Sequence, residues 1–174
     1  MHHINVSFQD ATQLCSEYLT THQTYTEQRS RWHEWLETRL RTLDACLTPV
    51  SNKQSVRAKL ERLAELQALC AEGDERLADV KQTNSKVQKS TSTSGRQQLR
   101  TEADNLASEW QRFKARLEDS TSGLRAALDE WDSYDALHDE LSAWLRRCDA
   151  EVKANDVMKA TANDKRQQTT KLQV

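Results

Sequence analysis

The chain has 174 residues, of which 30% are charged and 36% hydrophobic, with 3 Gly, 1 Pro and a formal net charge of -2. So few turn-forming residues exclude a sheet protein built from many hairpins, and high charge with regularly placed Leu and Ala points to long helices. The near-neutral balance lacks the basic excess of a nucleic-acid binder, and no run of roughly 18 apolar residues is present to insert in a membrane.

Taken in chain order, the opening MHHINVSFQD has no apolar core of signal-peptide type. A first helix is marked by Tyr25, Trp32, Leu36, Leu40, Leu43 and Leu47. Two successive four-residue offsets near the tryptophans depart from a strict heptad, so the apolar face has to rotate there. TPVSN at 48–52 holds the single proline, which stops this helix, and Ser51 or Asn52 can cap the next. A second amphipathic helix is predicted over roughly residues 52–89: Val56, Leu63, Cys70 and Leu77 stand seven apart and interleave with Leu66, Gly73, Val80 and Val87. KSTSTSG at 89–95 forms the second break, because its hydroxyls compete for the backbone.

Beyond it, one heptad series runs Leu99, Leu106, Phe113, Ser120, Ala127, Tyr134, Leu141, Cys148. Its companion runs Ala103, Trp110, Leu117, Leu124, Trp131, His138, Leu145, Val152. The phase holds across 54 residues, which predicts a supercoiled helix roughly 80 Å long. One compact bundle has no use for such a length, so the helix is expected to leave one bundle and enter another. Two short connections between three long helices predict an all-α, up-down-up antiparallel coiled-coil bundle, with a continuous helix into a second, partial repeat.

An internal repeat supports this. A shift of 109 residues places Tyr25 on Tyr134, Trp32 on Leu141, Trp35 on Trp144, Leu36 on Leu145 and Leu43 on Val152, and it places Ile4, Phe8, Cys15 and Leu19 on Phe113, Leu117, Leu124 and Leu128. Past the first loop the shift grows to 112, where Lys59-Leu60 meets Lys171-Leu172. A fixed period of this size means stacked units. The expected division is 1–18 as the tail of a preceding repeat's third helix, 19–128 as a complete repeat, and 129–174 as the first helix and the beginning of the second helix of a following one. The expected core is Trp32, Trp35, Leu36, Leu63, Leu77, Leu106, Trp110, Phe113 and Leu117, with Trp144 and Leu145 in the next unit. Trp35 is placed against Trp110, and Trp144 in the same slot next door. Trp32 is placed about 60° outside that stripe, toward the second helix.

Three heptad helices, Trp-Leu in the first (EWLE, AWLR) and Trp in the third (SEWQRF), resemble the spectrin repeat along the whole chain. Within that superfamily the 109-residue spacing looks more like the giant nesprins or spectraplakins. The resemblance implies a cytoplasmic, cytoskeletal rod that scaffolds and transmits force. The partners it implies are neighbouring repeats and actin-linked cytoskeletal or nuclear-envelope proteins, with the outer nuclear envelope reached through another region of the parent protein. The inter-repeat linker is then the helix through Ser120, Leu124, Ala127, Trp131 and Tyr134, with Gly123 as a bending point.

No catalytic, metal or cofactor site is expected. HEWLE at 33–37 lacks the second His of a zinc-protease motif, and His22, His33 and His138 have no ligand spacing. Three glycines leave no phosphate loop, and no Ser, His and Asp grouping stands out. Cys15, Cys46, Cys70 and Cys148 form no CxxC pair and read as reduced thiols of a cytosolic protein. Charge is more informative. Residues 80–100 carry five basic residues, among them Lys81, Lys86, Lys89 and Arg96, and no acid. Residues 128–140 carry six acids, among them Asp129, Glu130, Asp132 and Asp135, and no Lys or Arg. Head-to-tail stacking would bring a basic loop toward each acidic junction, as electrostatic docking between neighbours. Two alternatives stand beside the rod: a protein-binding module that docks a partner helix or loop, and a lipid-binding amphipathic bundle, against which the mixed charge of the helices counts.

Overall fold

A computed structural model describes the backbone of residues 2–49, 52–155 and 161–172, and the side chains of 9–49, 52–154, 161–167, 169 and 170. Ile4, Phe8, Ser51, Lys171 and Leu172 fall outside the side chains described. Every regular element among the described residues is a helix: α1 His2–Cys46, α2 Lys53–Ala68, α3 Cys70–Lys89, α4 Thr93–Asn155 and α5 Ala162–Leu172. The chain divides into two compact units, Met1–Ala126 and Ala127–Val174.

The first unit is a three-helix bundle, in which α2 and α3 together form the middle helix. Asn52 starts α2 from an extended backbone (φ -158°, ψ 161°), and its Oδ1 accepts from the Ser55 N–H at 2.8 Å. This satisfies one of the donors that a helix start leaves free. α1 ends one residue before Leu47, which is 49% exposed, while Cys46 takes the buried place that the sequence suggested for Leu47. The middle helix was expected as one piece. It is interrupted at Leu69, whose N–H reaches back only three residues to Leu66 O (3.2 Å), a 3₁₀-type tightening. The Gly73 N–H bonds to Leu69 O at 3.0 Å, and the α-helical pattern resumes.

The core follows the heptads. Tyr25, Trp32, Trp35, Leu36, Leu43 and Cys46 from α1 meet Leu63 and Leu66 from α2, Leu77, Val80 and Val87 from α3, and Leu106, Trp110, Phe113 and Leu117 from α4. Leu40, Leu99, Cys70 and Leu124 pack at its edge. Val56, near the start of α2, is fully buried. In the second unit, α5 begins with a reciprocal cap: Thr161 Oγ1 donates to Asp164 Oδ2 at 2.6 Å and accepts from the Asp164 N–H at 3.2 Å.

Candidate functional site

Two places in the molecule concentrate unusual chemistry. The first is the aromatic centre of the bundle. Trp32 stacks on Trp35 (centroids 5.6 Å), Trp110 meets Trp32 edge-on (5.5 Å) and Trp35 at a tilt (5.7 Å), and Phe113 stacks on Trp110 (5.2 Å). Trp32 therefore belongs to the centre of the cluster. The sequence placed it off the main stripe, but the departure from the heptad near residue 35 turns the face enough for both rings to point inward. Three large rings need space, and Gly73 supplies it. A Cβ there would stand 2.5 Å from Trp110 Cη2 and Cζ2 and 2.9 Å from Trp35 Cη2. The glycine at a heptad position of α3 is thus the floor on which two indoles lie.

Polar groups fix the rings. Trp110 Nε1 donates to Asp74 Oδ1 (2.6 Å), which also accepts from Lys114 Nζ (3.0 Å). The Trp110 hydrogen bond, and after it the Lys114 bond, hold the Asp74 carboxyl below its ordinary range. The Arg39 and Arg76 guanidiniums lie over the Trp35 ring, at 4.6 and 5.7 Å from its centroid. The Nε1 atoms of Trp32 and Trp35 are buried with no acceptor among the described residues, a cost of about 1–3 kcal/mol each. Burying each ring offsets it with about 4–6 kcal/mol of apolar contact.

A polar network closes one end of the bundle, and the sequence reading did not foresee it. Tyr25 Oη donates to Glu102 Oε2 at 2.6 Å, and Arg29 pairs with the other oxygen of the same carboxylate. Asn84 Nδ2 donates to Tyr25 Oη and to Leu99 O, each at 3.0 Å, and Asn84 Oδ1 accepts from Gln88 Nε2 at 2.6 Å. Burial, and next the bond to Glu102, push the Tyr25 phenol up to about 12. Asn84 lies seven residues beyond Leu77 on the heptad, so an asparagine at a core position was the available signal. Such a residue fixes register, because a slip would leave its amide unpaired.

The second place is the face of α4 in the second unit. Tyr134, Leu141, Trp144, Leu145 and Val152 are 51–60% exposed, whereas their internal counterparts Tyr25, Trp32, Trp35, Leu36 and Leu43 are 0–7% exposed. The expected core positions Trp144 and Leu145 are therefore surface positions here: no neighbouring helix covers them among the described residues. Along the linker, Ser120, Leu124, Ala127 and Trp131 are half-buried and Tyr134 is exposed. Trp131, Tyr134 and His138 form a ladder, edge-on at 6.1 Å and then stacked at 6.2 Å. Lys81, Lys86, Lys89 and Arg96 are exposed on the first unit, and Asp129, Glu130, Asp132 and Asp135 on the second. Gly123, the suggested bending point, lies inside unbroken α4 with open space at its Cβ position.

The thiols stand apart: Cys15 is exposed, Cys46 buried, and Cys70 and Cys148 half-buried. Burial pushes the Cys46 and Cys70 thiols up, so neither is an activated nucleophile. Among the described residues, no group of three or more His, Cys, Asp or Glu could hold a metal ion, and no helix is long and apolar enough to cross a membrane.

Residues 36–174, from the end of the first bundle helix through the run of α4 into the second unit, match the family described as nesprin-1 spectrin repeats. The chain is also similar to the muscle-specific protein 300 kDa of Drosophila melanogaster, with 25% identity over 139 residues, which is 80% of this chain and 1% of that protein. No solved structure matches. The family match takes in Trp110, Trp144 and Leu145, all on the unbroken helix α4, and the chain belongs to the family of nesprin-1 spectrin repeats.

Proposed function

We propose that the chain works as a force-bearing segment of a cytoskeletal linker. Its family is structural, and its context is that of a rod. The finer reading is that residues 19–128 form one complete repeat, flanked by the end of one repeat at 1–18 and the start of another at 129–174. In this reading the rod links actin-based structures to the nuclear envelope from the cytoplasm and presents its repeat surfaces to other proteins. The observation that carries it is α4, which runs as one helix from Thr93 to Asn155 across the division between the two units at 126/127. A helix with unbroken hydrogen bonding passes tension and bending from one unit to the next; a flexible loop does not. The chain spans about 1% of the length of the relative it matches, so the activity of the whole assembly is part of the proposal.

The test is Ala127→Pro. Proline removes a backbone donor and clashes with the preceding turn, at a cost of about 3 kcal/mol. Small-angle scattering of the full chain should then report greater flexibility, while quenching shows Trp110 still shielded in the first bundle. Scattering identical to that of the parent chain would mean that the continuous helix does not couple the units. The exposed face of Tyr134, Leu141, Trp144 and Leu145 favours a second reading, a helical module that docks a partner helix or loop; an exposed apolar face of this kind marks an interaction surface.

A further inference from the structure

We infer that Ser92, in the turn between α3 and α4, is a phosphorylation site for a protein kinase that selects basic residues around its target, with ATP as the phosphoryl donor, and that the cations of the turn hold the phosphate.

Three residues separate the two helices: Ser90, Thr91 and Ser92. Their hydroxyls are not equivalent. Ser90 Oγ and Thr91 Oγ1 both donate to Val87 O, at 3.1 and 2.7 Å, and both residues are half-buried. Their protons are committed to the end of α3. Ser92 is exposed, and its Oγ accepts from the Gly95 N–H at 3.3 Å but donates to no described residue. A hydroxyl carries one proton and two lone pairs, so the Ser92 proton and one lone pair stay available for chemistry. Gly95 lets the turn close this tightly, because a Cβ there would stand 2.4 Å from Thr91 Cγ2. Thr93 and Ser94 are also exposed, but they belong to α4, and Thr93 Oγ1 accepts from Arg96 Nη2 at 3.1 Å. An acceptor inside a helix has to unwind before a kinase can take it; Ser92 does not.

The surroundings are cationic without compensation. Lys81, Lys86, Lys89, Arg96 and Arg100 are exposed, and none pairs with an acid among the described residues, whereas Arg29, Arg76 and Lys114 pair with Glu102, Glu72 and Asp74. No acid stands between Asp79 and Glu102 in the sequence, and no proline follows Pro49. Lys89 stands three residues before Ser92, and Arg96 four after it. Kinases separate substrates by such charge patterns, and basic residues are the pattern on offer here.

In the transfer, Ser92 Oγ attacks the γ-phosphorus of ATP. The Oγ–P bond forms as the bond from the γ-phosphorus to the bridging oxygen breaks, ADP leaves, and the hydroxyl proton passes to a base of the kinase. The phosphate brings about 1.5 to 2 negative charges, so the five uncompensated positive charges of the stretch fall to about three. Arg96, whose guanidinium already bends back to Thr93, and Lys89 are placed to hold it by charge-assisted hydrogen bonds. The attraction of the turn for an acidic surface falls accordingly.

The test treats the native full chain with ATP and, separately, cyclic-AMP-dependent protein kinase and protein kinase C, both of which select basic residues near a serine. Mass spectrometry locates the phosphate. One phosphate on Ser92 is expected with at least one kinase, none in Ser92→Ala, and a rate about tenfold lower in Lys89→Glu. Phosphorus NMR should place the second ionisation of the phosphate below the ordinary value of about 6, and Arg96→Gln should return it toward that value. Phosphate on another residue in place of Ser92, labelling of the unfolded chain alone, or no labelling by either kinase would overturn the site. An unchanged rate in Lys89→Glu would overturn recognition through basic residues. An unshifted ionisation would overturn the holding of the phosphate by the turn.

Discussion

Replacing Gly73 with alanine puts two opposed effects in direct competition. Glycine weakens a helix interior, so the exchange by itself should stabilise α3 by about 1 kcal/mol. The added methyl, however, would stand 2.5 Å from two atoms of Trp110 and 2.9 Å from Trp35, where carbon atoms in contact keep about 3.5–4.0 Å. Relief requires Trp110 to move by about 1 Å, and that ring is held by Phe113 stacked on it and by the 2.6 Å bond to Asp74. Overpacking of this kind costs typically 1–3 kcal/mol and more where neighbours cannot yield. Three interlocked indoles and a directed hydrogen bond place this site at the upper end, so the net change should be a loss of about 1–2 kcal/mol. The matched control is Gly123→Ala, where a Cβ meets nothing within 4 Å and only the helix preference operates. Thermal and urea unfolding, followed by tryptophan fluorescence and circular dichroism, should show a midpoint lowered by about 3–8 °C for Gly73→Ala and unchanged or slightly raised for Gly123→Ala. If both variants gain stability equally, the aromatic floor is not tight and the reasoning fails.

The raised Tyr25 phenol makes a pH prediction: its contribution is fully present below about 10 and is lost as pH rises toward 12. Tyr25→Phe should flatten that alkaline slope relative to the parent chain; an unchanged slope would show that the network with Glu102 and Asn84 is not coupled to stability. Thiol labelling at mildly alkaline pH should modify Cys15 first and Cys46 only at the rate of unfolding, because Cys46 is buried and its thiol is pushed up. Fast labelling of Cys46 in the native chain would contradict its place in the core. Without a partner, amides across 134–152 should exchange far faster than those around Trp32 and Trp110. Strong protection in a monomer at low concentration would count against the open face.

The helices themselves were legible from local chemistry. Pro49 and the hydroxyl-rich stretch expected to break the chain at 89–95 mark real interruptions, the second of them shortened in the structure to residues 90–92, and the heptad Leu, Val and aromatic residues name the buried stripe. A stripe needs only sequence spacing, and burial of apolar area follows it. The internal shift of 109 was legible too, because Trp35-Leu36 and Trp144-Leu145 are large residues with few substitutes at a packed centre. The tertiary structure decided what depends on several helices at once. Trp32 joined the central cluster because a small rotation of α1 is set by what it packs against. Gly73 proved to be a floor for two rings, though in the sequence it is an ordinary weak point of a helix. Asn84, Tyr25, Glu102 and Arg29 come from three elements far apart in the chain, so their network has no local signature. Trp35 and Trp144 are each followed by Leu and stand 109 residues apart, yet one is buried and the other open. That difference resides entirely in which helices lie alongside, because burial is a property of neighbours and spacing supplies only the face.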